Sequence, residues 1–222
     1  PDTPPMVFGS MPNDGGYLSN ISPDEAEQIR DSDPVASRYL HPIIGAREFL
    51  HHEERWCLWL NDANPSDIRT SRVLSERVEA VRLLRSQSVR AGTRALAETP
   101  ASFGEIRQPS TRYLAVPQVS SINREYIPVG WEQPTTVASN LLYVIPTATL
   151  ALFGFLSSRP FTLWANTVSG KMKSDFRISN GITYNNFPFP AITDEQEDEL
   201  SASAEAVLTA RQDYPDASQD DL

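Results

Sequence analysis

The sequence predicts a mixed α/β domain of the α+β kind: a small, mostly antiparallel sheet with helices on one face, and an acidic C-terminal helix. Three observations predict it. Short runs rich in β-branched, aliphatic and aromatic residues occur near 55–60, 112–119, 125–130, 141–145 and 172–178, separated by polar or Pro-containing turns, and read as strands. Residues 66–98 place Leu74, Val78, Val81 and Leu84 at helical spacing. From Thr193, a Thr cap followed by Asp194, Glu195 and Gln196 opens an amphipathic acidic helix that ends near Tyr214-Pro215.

In chain order, Gly9 to Gly16 is turn-rich and reads as an ordered loop. Ser22-Pro23-Asp24-Glu25 combines a cap, a first-position Pro and first-turn acids, and predicts a helix over about 23–31; Asp33-Pro34 opens a second. Arg55 to Leu60 is strand-like and Asn64-Pro65 closes it. In the helical stretch that follows, Arg72, Arg77, Arg82, Arg85, Arg90 and Arg94 flank the apolar stripe and predict a mostly solvated face. Arg112 to Pro117 and Tyr126 to Val129 read as strands joined by the polar turn 120–124, with their prolines at edges or bulges. Leu141 to Ile145 is another strand, 147–158 and 161–169 are core helices, Lys171 to Ile178 is extended, and Asn185 to Pro190 is a loop.

The chain has 222 residues, 40% hydrophobic, enough for a core in one domain with an appendage. No apolar run reaches the roughly 18 residues of a membrane span, so no membrane partner is expected. The start, Pro1-Asp2-Thr3-Pro4-Pro5, lacks both an initiator Met and a basic leader and resembles a cut in a linker. One cysteine, Cys57, allows no internal disulfide and points to the reducing cytoplasm; its apolar neighbours predict a buried, inert thiol. The net charge of −10 argues against nucleic acid, but it is unevenly spread. Segments 1–65 and 191–222 sum to −7 and −9, whereas 66–190 sums to +6 and can present a local phosphate-binding surface.

Reaction chemistry is sparse. There is no Gly-rich phosphate loop and no nucleophile elbow. His51 and His52 stand beside Glu53 and Glu54, but adjacent residues diverge on helix or strand, and His41 has no partner at ligand spacing, so no metal site is expected. What remains are polar clusters in apolar surroundings: 119–124, 138–140 and 173–177. Ser, Asn, Lys and Arg are the residue types that meet phosphates and base edges. Ordinary turns and a solvated strand account for these clusters equally well on chemistry alone. On one extended strand Lys173, Asp175 and Arg177 would share a face. Lys donates to guanine and Asp accepts from cytosine N4, so the first two would suit one G·C pair, and Arg177 a neighbouring purine. An exposed Lys173–Asp175 ion pair is the competing reading.

At these residues the sequence resembles a known family. Asp14-Gly15-Gly16, Arg55 to Leu60, Tyr113 to Pro117, Val119-Ser120-Ser121 with Arg124, Tyr126-Ile127-Pro128, Phe153-Gly154, Lys173 to Arg177 and Tyr184 to Pro190 occur in this order in the MmeI-like group of fused restriction–modification enzymes and their methyltransferase-only relatives. Ile122-Asn123 departs from the more usual acidic and basic pair, and Phe189 from the common Trp. The resemblance implies a DNA target recognition domain over 1–190. It further implies that 191–222 begins a helical C-terminal domain and that a γ-class adenine-N6 methyltransferase domain lies upstream. Both domains of the same parent chain, and double-stranded DNA, are then the partners. S-adenosylmethionine would be bound by the parent's catalytic domain, with no catalytic residue and no cofactor in this chain. It also implies base readout by Gln118, Asn140, Leu141, Lys173, Asp175 and Arg177, with phosphate contacts from Ser120, Ser121 and Arg124. A scaffold module of a restriction–modification complex, and a complete small enzyme with an unfamiliar site, are the alternatives the residues leave open.

Overall fold

The computed structural model describes residues 3–172 and 175–214. The chain opens with the short strand β1 (Val7–Phe8). Helix α1 (Pro23–Ser32) starts where expected, the Ser22 hydroxyl accepting from the Glu25 amide. Asp33 then caps α2 (Pro34–Ser37) through the Val35 and Ala36 amides. Strand β2 (Leu40–Ile44), helix α3 (Ala46–His51) and strand β3 (Trp56–Leu58) follow. The predicted stretch 66–98 is three helices, α4 (Pro65–Thr70), α5 (Arg72–Ser86) and α6 (Ala91–Ala95), and a 3₁₀ turn at Leu96–Glu98. The first break falls at Ser71, which leaves helical geometry to cap α5 at the Leu74 amide.

The second half carries β4 (Tyr113–Pro117), β5 (Val119–Ser120), β6 (Gly130–Glu132), β7 (Val137–Ala138) and β8 (Leu142–Ile145). Helices α7 (Leu150–Leu156) and α8 (Arg159–Val168) come next. They are followed by β9 (Gly170–Met172), β10 (Asp175–Arg177), a π-helical turn at Asn180–Tyr184 and α9 (Asp194–Gln212).

The fold is α+β, as expected, but its strands form three small sheets. The first runs β1-β8-β4-β6, the second β5-β10-β9, the third β3-β2-β7. The pairings are antiparallel except β2 with β7. Helices cover both faces of the four-stranded sheet, not one. Alternation along β4 sends Leu114 and Val116 toward α7, α8 and α9, and Tyr113 and Ala115 toward Phe49 and Leu50 of α3. A separate core joins α1, α2, α5, β2 and β3 through Ile29, Ile43, Leu58 and Leu74. Strand β4 is interior, so Pro117 is not an edge residue; it ends the strand, where the missing N–H is least costly. The strand expected at 125–130 forms later, at β6. The Ile127 amide is taken by the Thr162 hydroxyl at 3.2 Å, and Pro128 has no amide to offer a ladder.

At the C-terminus the acidic helix α9 lies against α7, and its Ala204 is buried. Gly154 makes this possible: a Cβ there would sit 2.9 Å from Leu200 Cδ1. Arg211 locks the far end, donating to the Val129 carbonyl at 2.7 Å.

Candidate nucleic-acid interface

Gln118 is the junction of two sheets. Before it, β4 belongs to the four-stranded sheet; after it, β5 pairs with β10. Its carbonyl accepts from the Ile178 amide at 2.8 Å, and its side-chain Nε2 donates to the Asn140 carbonyl. Only 9% of the residue is exposed. The side chain therefore holds the 140 loop and is not an exposed strand residue.

That loop, between β7 and β8, is a tight turn closed by the Leu142 amide on the Ser139 carbonyl at 3.0 Å. Its tip presents Leu141, 54% exposed, beside the half-buried Asn140. Gly9 supports it from below: any Cβ there would lie 2.3 Å from the Ser139 carbonyl oxygen.

The run expected as one extended strand over 172–178 is two paired strands. Asp175 pairs with Met172, Phe176 with Lys171 and Arg177 with Gly170, so β9 and β10 lie side by side and antiparallel. Lys173 lies outside the described residues, as does Ser174. A single face shared by Lys173, Asp175 and Arg177 is thus not given by strand alternation. Asp175 and Arg177 do share one face of β10, since Phe176 between them turns into the core. Asp175 is half-buried and Arg177 exposed. Arg177 lies near enough to the buried Tyr143 for its charge to oppose the upward shift that burial imposes on that phenol.

The expected phosphate ligands differ in availability. Ser120 is fully buried opposite Phe176, and its Oγ meets no partner among the described residues, so it cannot touch a phosphate in this conformation. Ser121 starts the turn: its carbonyl accepts from the Arg124 amide at 3.2 Å and its Oγ from the Asn123 amide at 3.3 Å. Burial lowers the proton affinity of the Arg124 guanidinium, and the neighbouring charge of Asp175 raises it.

The surface thus collects Gln118 to Arg124, Asn140-Leu141 and Asp175 to Arg177, three segments distant in sequence. Together they offer an amide, a guanidinium donor fork, a carboxylate acceptor and an apolar tip, the groups that distinguish base edges in a major groove. Sequence reasoning missed the elements that hold this surface. Phe8 of β1 packs on Tyr143 with ring centroids 4.7 Å apart, and a two-residue strand leaves no readable period. The Tyr184 to Pro190 motif is a brace: Asn186 Nδ2 donates to the Gly181 and Ile182 carbonyls, and the Tyr184 hydroxyl to the Pro4 carbonyl at 2.7 Å.

Elsewhere, burial pushes the Cys57 thiol up to about 12, an inert group as expected. Among the described residues no three His, Cys, Asp or Glu side chains gather to hold a metal, and no helix is long and apolar enough to cross a membrane.

Comparison with known proteins places this arrangement. A curated relative, DNA methyltransferase A of Bacillus subtilis (strain 168), is 36% identical over 212 residues, which is 96% of this chain and 24% of the relative. The solved structure of the type IIL restriction–modification enzyme MmeI in complex with DNA matches with a TM-score of 0.95 and 35% identity, over 99% of this chain and 29% of that one. The chain thus spans 24% and 29% of the length of these two proteins. The model of the MmeI target recognition domain matches residues 1–191, and this chain belongs to that family.

Proposed function

We propose that this chain is the sequence-reading domain of a bacterial adenine-N6 DNA methyltransferase. In this reading it docks on double-stranded DNA in the major groove and sets the target adenine before a catalytic domain of the same parent chain. The observation that carries the reading is the convergence of Asn140, Leu141, Asp175 and Arg177, tied together through the buried Gln118, onto one surface of a chain from this family. The match to an enzyme solved on DNA supports the partner, and the match to a methyltransferase supports the reaction. Arg177 suits a purine edge, Asn140 an adenine and Leu141 a thymine methyl, while Lys173 with Asp175 suits a G·C pair. Ser121 supplies the phosphate contact. S-adenosylmethionine belongs to the catalytic domain, and no residue of this chain is assigned to it. A helical domain following residue 191 completes the parent, which works in the cytoplasm.

The test exchanges charges in the full-length parent. Lys173→Glu with Asp175→Arg swaps donor and acceptor, so the methylated motif should change from G·C to C·G at one position and nowhere else. A double variant that methylates the original motif unchanged rejects readout by this segment.

A further inference from the structure

We propose that the Glu48–Arg55 ion pair is a positioning device for sequence readout: by gripping the peptide group between Ile44 and Gly45 it sets the loop that carries Asn140 and Leu141. The proposal rests on the DNA-reading function above. A trans peptide is planar, so its N–H and C=O point in opposite directions and turn together. At this peptide both ends are held. The Gly45 amide donates to Glu48 Oε2 at 2.6 Å, and the Ile44 carbonyl accepts from the Ser139 amide at 2.8 Å. Ser139 opens the turn whose tip is Asn140-Leu141: its carbonyl accepts from the Leu142 amide at 3.0 Å and its Oγ from the Leu141 amide at 3.5 Å. One peptide plane therefore joins the carboxylate to the readout loop. The approach is close, since a Cβ on Gly45 would lie 3.0 Å from Glu48 Oε2 and 3.1 Å from Ser139 Oγ.

Glu48 could not hold that plane alone. It is the third residue of α3 and reaches back to the amide before the helix, which fixes one oxygen. Arg55 fixes the rotation of the whole carboxylate: its Nε donates to Oε1 at 2.7 Å and its Nη2 to Oε2 at 3.1 Å. A planar fork can do this and a single ammonium cannot. The two side chains are 21% and 12% exposed, so water competes little for the pair. Burial by itself would raise the Glu48 carboxyl; the bonds from Arg55 and Gly45 outweigh it and hold the group below its usual range, in the ionised form that accepts at both oxygens. The third arm of Arg55, Nη1, donates to the Ser19 carbonyl at 3.1 Å. Ser19 is fixed in turn by Asp14, which accepts from its amide at 2.7 Å and its hydroxyl at 2.9 Å. Two sequence motifs with no part in base contact, Asp14-Gly15-Gly16 and Arg55 to Leu60, thus converge on the support of the 140 loop.

The test uses the full-length methyltransferase, assayed as kcat/KM on a panel of duplexes each altered at one base pair of the methylated motif. Glu48→Gln, which must turn an amide N–H toward Gly45 or Arg55, should reduce discrimination roughly tenfold, about 1.4 kcal/mol, at the position where Asn140→Ala or Leu141→Ala reduces it. The position that Arg177→Ala affects should be untouched, because β10 pairs with β5 and β9 and not with β2. Adding Glu48→Gln to Asn140→Ala with Leu141→Ala should cost no further discrimination at the loop's position. Arg55→Lys, which keeps the charge without the fork, should fall between the parent and Arg55→Ala. Gly45→Ala leaves the ion pair in place but crowds Ser139 Oγ, so it should weaken the same position even if the Glu48 and Arg55 variants fold poorly. Equal loss on all duplexes in Glu48→Gln and Gly45→Ala overturns the proposal and leaves the pair a support of the fold alone. Discrimination unchanged from the parent in both overturns it as well. If Asn140→Ala and Leu141→Ala themselves discriminate like the parent, the readout function of the loop fails first, and the positioning role falls with it.

Discussion

Arg85 shows how much one side chain can organise. Its guanidinium is fully buried in α5 and donates to five main-chain carbonyls, those of Pro12, Asn13, Leu96, Thr99 and Ser102, at 2.9–3.1 Å. It closes the N-terminal loop and the turns after α6 onto one helix. Arg85→Met should destabilise the chain by roughly 3 kcal/mol, because five buried acceptors lose their donor; urea denaturation measures it, and a loss under 1 kcal/mol would mean that water replaces the guanidinium. Helical periodicity marks Arg85 as one more surface arginine beside Arg82 and Arg72, which do pair on the surface with Glu79 and Glu76. Its acceptors lie in two distant loops, so no local pattern could distinguish it. Glu132 gives the opposite case, a carboxyl that burial makes harder to ionise. Burial pushes its carboxyl up to about 7 in a cleft it shares with Arg112, His52 and Arg211. The unfolded value is about 4.3. Between these values the folded chain keeps a proton that the unfolded chain has released, so stability falls as pH rises through this window and is level above it. Glu132→Gln removes the fall, and its stability relative to the parent should improve from pH 4.3 to 7 by on the order of 2 kcal/mol. A difference that does not vary with pH would remove the titration from Glu132.

At the scale of elements, capped helices are legible because their signals are local: Ser22, Asp33 and Thr193 each bond an amide two or three residues on, within reach of a sequence window. The strands were legible where a run is long, as in β4 and β8. Period-2 alternation over 171–178 fits one strand or two paired strands equally, and only the pairing of β9 with β10 decides between them. The readout candidates could therefore be named, while their relation in space could not. Two-residue strands such as β1 and β7 carry no period at all, yet they hold the 140 loop. Gly9 follows β1 and approaches the 138–139 main chain so closely that a methyl group has no space: the carbonyl oxygens of Ser139 and Ala138 would lie at 2.3 and 2.6 Å. Backbone, unlike a side-chain end, cannot turn aside. Gly9→Ala should cost about 1–3 kcal/mol and displace Asn140 and Leu141, which amide shifts in an NMR spectrum would report. Unchanged shifts at 139–142 would show that β1 moves instead.

For the whole molecule, the family's recognition unit ends near residue 191, but the core does not. Leu200, Ala204, Leu208 and Arg211 recur at helical spacing along α9 and make one stripe. Ala204 and Leu208 join the core that holds Leu114, Phe153 and Phe176, Leu200 meets Gly154, and Arg211 lies 5.6 Å from the Phe153 ring centroid. The acidic side chains, Glu195, Asp198 and Glu205 among them, face away and are exposed. The helix that charge alone would detach is thus held by a narrow apolar seam, and the seam backs the same core from which β10 presents Asp175 and Arg177. Ala204→Arg places a long cation where only a methyl group fits between α9 and α7. The expected cost is roughly 1–3 kcal/mol, a fall in Tm of about 2–4 °C for each kcal/mol. Calorimetry of the chain reads the shift, and hydrogen exchange locates it: amides of α7 and α9 should exchange faster together, with β10 following because Phe176 shares their core. Faster exchange confined to α9, at an unchanged Tm, would mean that the helix only adheres to a domain that stands without it.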